Sequence, residues 1–425
     1  MLVEEHLLTS SAGSLPYDAI TRFVTYSPVG LRVLIIVENL PVPLDRRVWQ
    51  ESCALRDAGY EVSVICPRMS GFTEPEEMLE GIRIFRHPIA AEARGMRHYL
   101  SEYGSALWGE LRCALKLWRS RGFDVIHLCN PPDLLFLVAL PFKWFGGVKI
   151  IFDVHDLCPE MFAAKFQQGR FAGLIHRAVL LAERCTLAVA DAVMATNESV
   201  RQAVHQRSRW AKEDIFIVRT APRQIDTSAP ADPLLRKGRT YLVGYVGVMG
   251  SADGVHYLLQ AAAHIIQRRS RRDVQFLLMG KGPEYQALLA ERDQLGLQDY
   301  VDMPGRVSQA FLETGLQTMD LGVACDPIND YNDHCTMNKT LEYMAFGKPQ
   351  VMFATREGRY SAQDAAVYVM ENSADQLGDA ILDTLDDPER RRCLGERGRQ
   401  RLENEIGWDQ SVKQLLAAYE KALKA

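Results

Sequence analysis

Short, nearly unbroken apolar runs alternate along this chain with longer stretches whose apolar residues recur at three- and four-residue spacing. The first run, Arg32–Val37 (RVLIIV), suits a strand buried on both faces. The proline-rich loop ENLPVPLD follows, then a helix from about Asp45 to Ala58 that Gly59 stops, then a strand at Glu61–Cys66. This is a βαβ opening. Further strands are expected at Ile82–Arg86, Val125–Leu128, Lys149–Asp153, Ala192–Ala195 and Ile215–Val218. Helices are expected at about Arg97–Arg121, from Asp133, and from Phe171 to Ala190. Residues 219–240 break the pattern with Pro222, Pro230 and Pro233 and few bulky apolar residues, as an interdomain connection does. A second series starts with the strand Leu242–Val246 and a helix from Gly254. It continues with the strand Val274–Met279, a helix from Pro283, a strand near Val301, a helix from Ser308 and the strand Leu321–Val323. A short helix, Asn338–Phe346, precedes the strand Gln350–Phe353, and two more helices lead to a C-terminal one at Asp409–Leu423. The fold class expected is α/β, with two Rossmann-like doubly wound domains facing a central cleft. The division reads as a leader over 1–30, a first domain over 31–220, a linker over 221–240, a second domain over 241–405, and a C-terminal helix over 406–425 that packs back on the first domain.

A chain of 425 residues exceeds one ordinary core, which agrees with two domains. A net charge of −5 gives no general case for nucleic-acid binding. Nine cysteines without CxxC or Cys/His ligand spacing point to reduced thiols, and argue against a disulfide framework or a structural zinc. Residues 1–30 begin with acids and lack a long apolar core, unlike a signal peptide. No run is long enough for a spanning helix. The expected location is the cytoplasm, including the cytoplasmic face of a membrane.

Candidate chemistry gathers where strands end. The stretch DPINDYNDHCTMNKTLEYMAFGKP, 326–349, contains the short helix, with Leu341, Met344 and Ala345 as its apolar stripe and Gly347 and Pro349 as its stop. Asn338, Lys339 and Thr340 form its first turn, where free backbone N–H groups favour a phosphate. A lysine there opposes the helix macrodipole unless an anion is bound. Glu342 lies on the same side, placed to accept hydrogen bonds from a ribose diol. A solvated helix face with Lys339 and Glu342 paired at i, i+3 also fits. Two other loops follow strands: VGVMGSADGV with Gly247, Gly250 and Gly254, and MGKGPE with Gly280 and Gly282. Glycine lets backbone approach phosphates or a base closely, although such turns also carry glycine for packing. The turn MPGRV offers Arg306 to the edge of a base, or to solvent. In the first half, FDVHDLCPE puts His155 and Asp156 at a strand's carboxyl end, and HLCNPPD puts Asn130 beside them. Arg46 and Arg47 open the first helix, where cations are useful mainly if they meet an anion. No GxGxxG follows the first strand, so a dinucleotide cofactor held in the usual way is not expected.

Four stretches, ENLPVPLDRRVWQE, DVHDLCPEMF, YVGVMGSADGV and MNKTLEYMAFGKP, resemble the retaining glycosyltransferases of family 4, over about Leu31 to Ala425. The resemblance runs to a bacterial polysaccharide subgroup that includes N-acetyl-L-fucosaminyltransferases. It implies the GT-B fold and a nucleotide-sugar donor, expected to be a UDP-sugar, held mostly by the second domain. It also implies that Glu342, the second Glu of the family's EX7E motif, binds the ribose hydroxyls, and that His155 lies at the transferred sugar. Gly280 and Gly282 match the loop near the nucleotide, and Arg306 with Val307 the turn that contacts the base. No cofactor and no metal are implied.

Departures from the family pattern matter. The first Glu of EX7E is replaced by His334, the Arg and Lys that clamp the diphosphate by Val248 and Asp253, and the first-strand glycine pair by Pro41-Val42-Pro43. Lys339 with the Asn338 helix terminus is therefore the candidate for neutralising the diphosphate. The expected acceptor is a saccharide, lipid-linked. Arg97–Arg121 carries Leu100, Leu107, Trp108, Leu111, Leu115 and Trp118 with Arg97, Arg112, Lys116, Arg119 and Arg121, a composition suited to a membrane interface. Phe142, Trp144 and Phe145 add to it; a core-facing helix with a solvated basic side fits the same spacing. Two rivals remain. A nucleotide-sugar epimerase would need a carboxylate pair drawn from Asp153, Asp156 and Glu160. A catalytically degenerate subunit would explain Val248 and Asp253.

Overall fold

The computed structural model describes residues 30–88, 96–165, 172–222 and 229–425. The leader expected over 1–30 lies almost wholly outside them, and the side chains of Arg97 and Leu100 are not among those described.

Two sheets form. In the first, strands β1 (Arg32–Val37), β2 (Glu61–Pro67), β3 (Glu76–Leu79), β4 (Ile82–His87), β5 (Val125–Cys129), β6 (Lys149–Val154), β7 (Ala192–Ala195) and β8 (Ile215–Ile217) take the order β3-β4-β2-β1-β5-β6-β7-β8. All pairings are parallel except the β3–β4 hairpin at the edge. Its two-residue turn uses Glu80 and Gly81 at positive φ, and four residues with only partial burial gave no strong apolar pattern, so this strand is not legible in the sequence. In the second sheet, β9 (Tyr241–Val246), β10 (Val274–Met279), β11 (Val301–Gly305), β12 (Leu321–Ala324), β13 (Gln350–Phe353) and β14 (Ala366–Val369) run β11-β10-β9-β12-β13-β14, all parallel. That is the doubly wound order, in which the switch point lies beside the first strand.

Strand composition explains the layering. Along β1, Val33, Ile35 and Val37 enter one apolar core and Leu34 and Ile36 the opposite one. Along β9, Val243 and Tyr245 divide from Leu242 and Val246 in the same way. Both faces must therefore be covered by helices. On one face of the first sheet lies α1 (Arg46–Asp57), whose start is capped by Asp45 accepting from the Val48 N–H at 3.0 Å. The other face carries α2 (Met96–Ser120) and α3 (Phe136–Gly146). Packed beside α1 against β6, β7 and β8 is the C-terminal helix α4 (Trp408–Lys424), although it follows the second domain in sequence.

Residues 229–240 are bound to the second domain. The Asp232 N–H donates to Thr318 Oγ1 at 2.8 Å, and Arg236 pairs with Asp320. Arg219, at the start of the stretch that reads as a connection, is buried. On α2 the apolar stripe is divided. Trp118 stacks edge-on with Phe123 and packs near Phe142, as core, whereas Trp108 (60%), Trp144 (70%) and Phe145 (91%) are exposed. The interface expected to include Trp118 and Phe142 is thus reduced to the other three aromatics with Arg112, Lys116 and Arg119. Among the described residues no helix is long and apolar enough to cross a membrane.

Candidate active site

The carboxyl ends of both sheets meet at a cleft, and two consecutive arginines divide the work there. Arg47 turns inward: Nε and Nη2 donate to the two oxygens of Asp153 at 2.9 and 2.7 Å, and Glu51 lies 3.1 Å away. All three are buried. The anion that the N-terminal arginine meets is therefore internal, and Arg47 is not available to a ligand as the sequence suggests. Arg46 turns outward across the cleft, where its guanidinium is 3.2 Å from Glu342 Oε1 of the second domain.

Asp153 also holds His155, whose Nε2 is 2.6 Å from Asp153 Oδ2. Burial works against the charged imidazole, but the Asp153 carboxylate outweighs it and raises the His155 pKa. His127 lies behind, its Nδ1 3.0 Å from the Tyr419 hydroxyl of α4. Here burial wins and lowers the pKa. Asn130 braces the loop from below. Its Oδ1 accepts from the His155 N–H at 2.7 Å and the Asp156 N–H at 3.3 Å, while Nδ2 donates to Asp133 and to the Asp156 carbonyl, both at 2.8 Å. Asn130 is thus a buried support rather than a cleft-facing contact. Of the carboxylates an epimerase would need, Asp153 is committed to Arg47 and Glu160 to Arg207.

Three buried carboxyls of this domain keep protons far above the usual range, chiefly through burial: Asp133 at about 6, Glu183 at about 7 and Glu51 at about 8. Each folded-state pKa exceeds its unfolded value. The stability each group contributes is therefore complete below the unfolded pKa and lost as pH rises through the folded one. The thermal midpoint is expected to fall between pH 5.5 and 8.5, and Glu183→Gln to flatten part of that slope in a calorimetric series.

The short helix of the second domain, α5 (Asn338–Ala345), starts without a side-chain cap, with Asn338 exposed and Thr340 buried. The Thr340 hydroxyl has no hydrogen-bond partner, so it is placed inside the helix packing. Lys339 departs most from expectation. It is buried, its Nζ 2.7 Å from Asp326 Oδ1, 3.6 Å from Asp253 Oδ1, and 4.9 Å above the Tyr245 ring. One ammonium faces two carboxylates, so Lys339 is not a free cation for a diphosphate. It pairs neither with solvent nor with Glu342. Sequence reading missed the pairing because Asp326 lies thirteen positions away at the end of β12 and nothing local marks it.

The glycine loops touch each other before they touch any ligand. A Cβ on Gly280 (φ +150°) would sit 1.8 Å from the Gly247 carbonyl oxygen, and one on Gly282 within 2.7 Å of Met249 backbone. Gly250 donates its N–H to Asp253 Oδ2 at 3.0 Å, which closes the first loop. The Gly280 N–H donates to the Gly305 carbonyl at 2.9 Å, which brings the exposed Arg306 and half-buried Val307 next to both loops. Gly280→Ala is expected to destabilise the second domain by about 1–3 kcal/mol from backbone strain alone, with the clash in addition, as chemical unfolding would measure.

The domains are also joined behind the cleft by residues that sequence reading did not single out. Arg219 and Glu357 form a buried pair at 2.9 Å, Ser199 donates to Glu357 at 3.1 Å, and Asn197 Nδ2 donates to the His334 carbonyl at 2.7 Å. His334, at the first EX7E position, thus takes part through its backbone. Asp156 lies near Cys335, whose pKa is pushed up to about 12 first by burial and then by that carboxylate.

Comparison with known proteins agrees with this architecture. The family described as "Glycosyl transferase 4-like domain" matches residues 44–221, and "Glycosyl transferases group 1" matches residues 240–387. The chain is 24% identical over 345 residues to an alpha-D-kanosaminyltransferase of Streptomyces kanamyceticus, covering 76% of this chain and 85% of the relative. It is 25% identical over 402 residues to a phosphatidyl-myo-inositol mannosyltransferase of Mycolicibacterium smegmatis, covering 90% and 91%. The structure of Anabaena HepE in complex with UDP-glucose superposes with a TM-score of 0.66 at 13% identity, over 92% of this chain and 99% of that one.

Proposed function

Since the chain belongs to the family 4 glycosyltransferases with the GT-B fold, we propose that it is a retaining enzyme transferring a sugar from a UDP-sugar to a lipid-linked saccharide in bacterial surface polysaccharide synthesis. The observation that carries this reading is the pair Arg46–Arg47. It links the Asp153–His155 couple of one domain to the Glu342 carboxylate of the other across one cleft.

In this reading Glu342 takes the ribose hydroxyls. Burial raises its pKa, and Arg46, the next cause, works the other way to favour the carboxylate. Breaking the sugar–phosphate bond places negative charge on the diphosphate, and fixed cations and N–H groups must stabilise it as it forms. Lys339 is already offset by Asp253 and Asp326, so Arg46 supplies that charge from across the cleft, together with the N–H groups at Asn338. Donor binding would then move Arg46 from Glu342 to the phosphates and free the carboxylate for the ribose in the same step. The leaving phosphate accepts the acceptor's proton on the same face, and no metal is required. His155, held by Asp153, orients the transferred sugar. The domains close around the pair and exclude water. The exposed Trp108 beside Arg112 and Lys116, with Trp144 and Phe145 exposed on α3, suits a membrane interface, where a lipid-linked acceptor would be met. The mannosyltransferase relative named for phosphatidyl-myo-inositol supports a lipid acceptor, and the UDP-glucose complex of HepE supports a UDP donor.

The test is a calorimetric screen of UDP, GDP, UDP-GlcNAc and related UDP-sugars, followed by turnover with the donor that binds. His155→Ala is expected to lower kcat by at least about 100-fold, the scale of a lost transition-state contact, with a much smaller change in donor Kd. A folded chain that binds UDP-sugars but never turns them over would favour a second reading, a degenerate subunit serving a partner transferase. The replacement of the usual clamp by Val248 and Asp253 is what keeps that reading open.

A further inference from the structure

Beside the cleft, on the β4 side of the first sheet, three ionisable groups from separate elements converge. Glu38 follows β1, His87 ends β4, and Glu110 lies on α2. His87 and Glu110 are 1% and 0% exposed. His87 Nε2 stands 3.2 Å from Glu38 Oε2 and 4.0 Å from Glu110 Oε1. Nε2, Glu38 Oε2 and both Glu110 oxygens are buried without a hydrogen-bond partner. Nδ1 is 3.3 Å from the Pro88 carbonyl, which can only accept, so in the neutral ring Nδ1 carries the hydrogen and Nε2 turns its lone pair toward the carboxylates. With the ring neutral, that lone pair and the two buried carboxylates repel one another, and each unpartnered group adds its own desolvation cost. A cation between them removes both objections.

We propose that Glu38, His87 and Glu110 bind a divalent first-row cation, with Zn2+ the best match, at a structural site separate from sugar transfer. One imidazole and two carboxylates are zinc ligands, and bonds of about 2.1 Å in a tetrahedron put ligand atoms about 3.4 Å apart. The separations of 3.2 and 4.0 Å bracket that edge. The Nδ1–H bond to a backbone carbonyl is the outer-shell contact that metal-bound histidines make. Gly109 lets α2 come this near, because a Cβ there would lie 3.0 Å from His87 Cβ. A cavity of about 510 Å³ lined by His87, Trp108 and Gly109, among others, opens on the His87 side of the cluster. The site would pin the loop 38–45 to α2 and β4, and so fix the approach to Arg46. The neighbouring set Glu51, His127, Cys129 and Asp153 is different, since the Arg47 guanidinium already supplies its cation.

The competing occupant is a proton. Burial first, and Glu38 next, push the Glu110 pKa well above its usual value, so without metal the two carboxyls can share one. The whole chain, stripped with a chelator, is titrated with Zn2+ against a chromophoric competitor and with Co2+ followed by visible absorption. One Zn2+ per chain, a tetrahedral Co2+ spectrum and a raised thermal midpoint are expected. His87→Ala and Glu110→Gln should each weaken Zn2+ binding at least about 100-fold, because losing a ligand exceeds the 10–100-fold cost of losing an outer-shell partner. Glu110→Gln can still donate to Glu38, so it keeps the fold intact while removing the ligand. Absence of stoichiometric binding by the wild type overturns the proposal in favour of the shared proton. Binding left undiminished in both variants overturns it in favour of an adventitious site, for instance at cysteine.

Discussion

Arg47→Ala is expected to lower the unfolding free energy by about 3–5 kcal/mol, the cost of leaving a buried charge without its partner. The guanidinium is the centre of a buried network: Asp153 on two bonds, Glu51 at 3.1 Å, and the Val218 carbonyl at 2.5 Å. Removing it strands the fully buried Asp153 carboxylate and leaves the equally buried Glu51 carboxyl, which keeps its proton at pH 7, without its nearest cation. Asp153 is held well below the usual carboxylate range because Arg47 and His155 overcome its burial, so its charge depends on these partners. Urea unfolding at pH 7 measures the effect, with Arg46→Ala as the comparison. Arg46 has a side chain 60% exposed, and its pair with Glu342 should contribute no more than about 1 kcal/mol. Equal losses in the two variants would mean that the inward arginine does not organise the domain. His155 should be affected as well, since without Arg47 the Asp153 carboxylate is free to take a proton and loosen its hold on the imidazole.

Glu342→Ala should show the opposite profile, a small change in stability and a large one in nucleotide affinity. Each hydrogen bond from a ribose hydroxyl to the carboxylate contributes about 1.5–3 kcal/mol, so UDP binding should weaken by about 10- to 150-fold. Calorimetry with UDP and 2′-deoxy-UDP separates this contact from a general disturbance of the cleft. The wild type should prefer the ribonucleotide, and the variant should bind both alike. Unchanged UDP affinity in Glu342→Ala would sink the ribose assignment. A preference for UDP that survives in the variant would place the ribose elsewhere in the second domain.

Much of this could be read along the chain because it is local. RVLIIV, VQFLLM and QVMF are each apolar but for one residue, Arg32, Gln275 and Gln350, as suits a strand covered on both faces. The α5 segment showed its stripe and its glycine stop. The family-like motifs placed His155 at the end of a strand and Glu342 in the short helix, which is where the structure has them. Weakly patterned pieces escaped. Glu76–Leu79 is a short, half-exposed edge strand, and Ala366–Val369 is a four-residue strand too short to stand out from its neighbours.

What local pattern cannot carry is partnership across distance. Strand positions, the doubly wound alternation and the loops that would hold a nucleotide follow from side-chain period and from glycine placement, and both are written in neighbouring residues. Whether a charge is free depends on residues brought near only by folding. Lys339 looked like a phosphate ligand until Asp253 and Asp326 were folded around it. Arg46 and Arg47 were alike in sequence, and only the twist of one helical step sent one into the Asp153 network and the other across the cleft. Glu38, His87 and Glu110, spread over more than seventy positions from the end of β1 through β4 to α2, had no spacing to announce them. Backbone preference is short-ranged, while the electrostatics of a buried site is a sum over whatever the fold packs within a few ångströms.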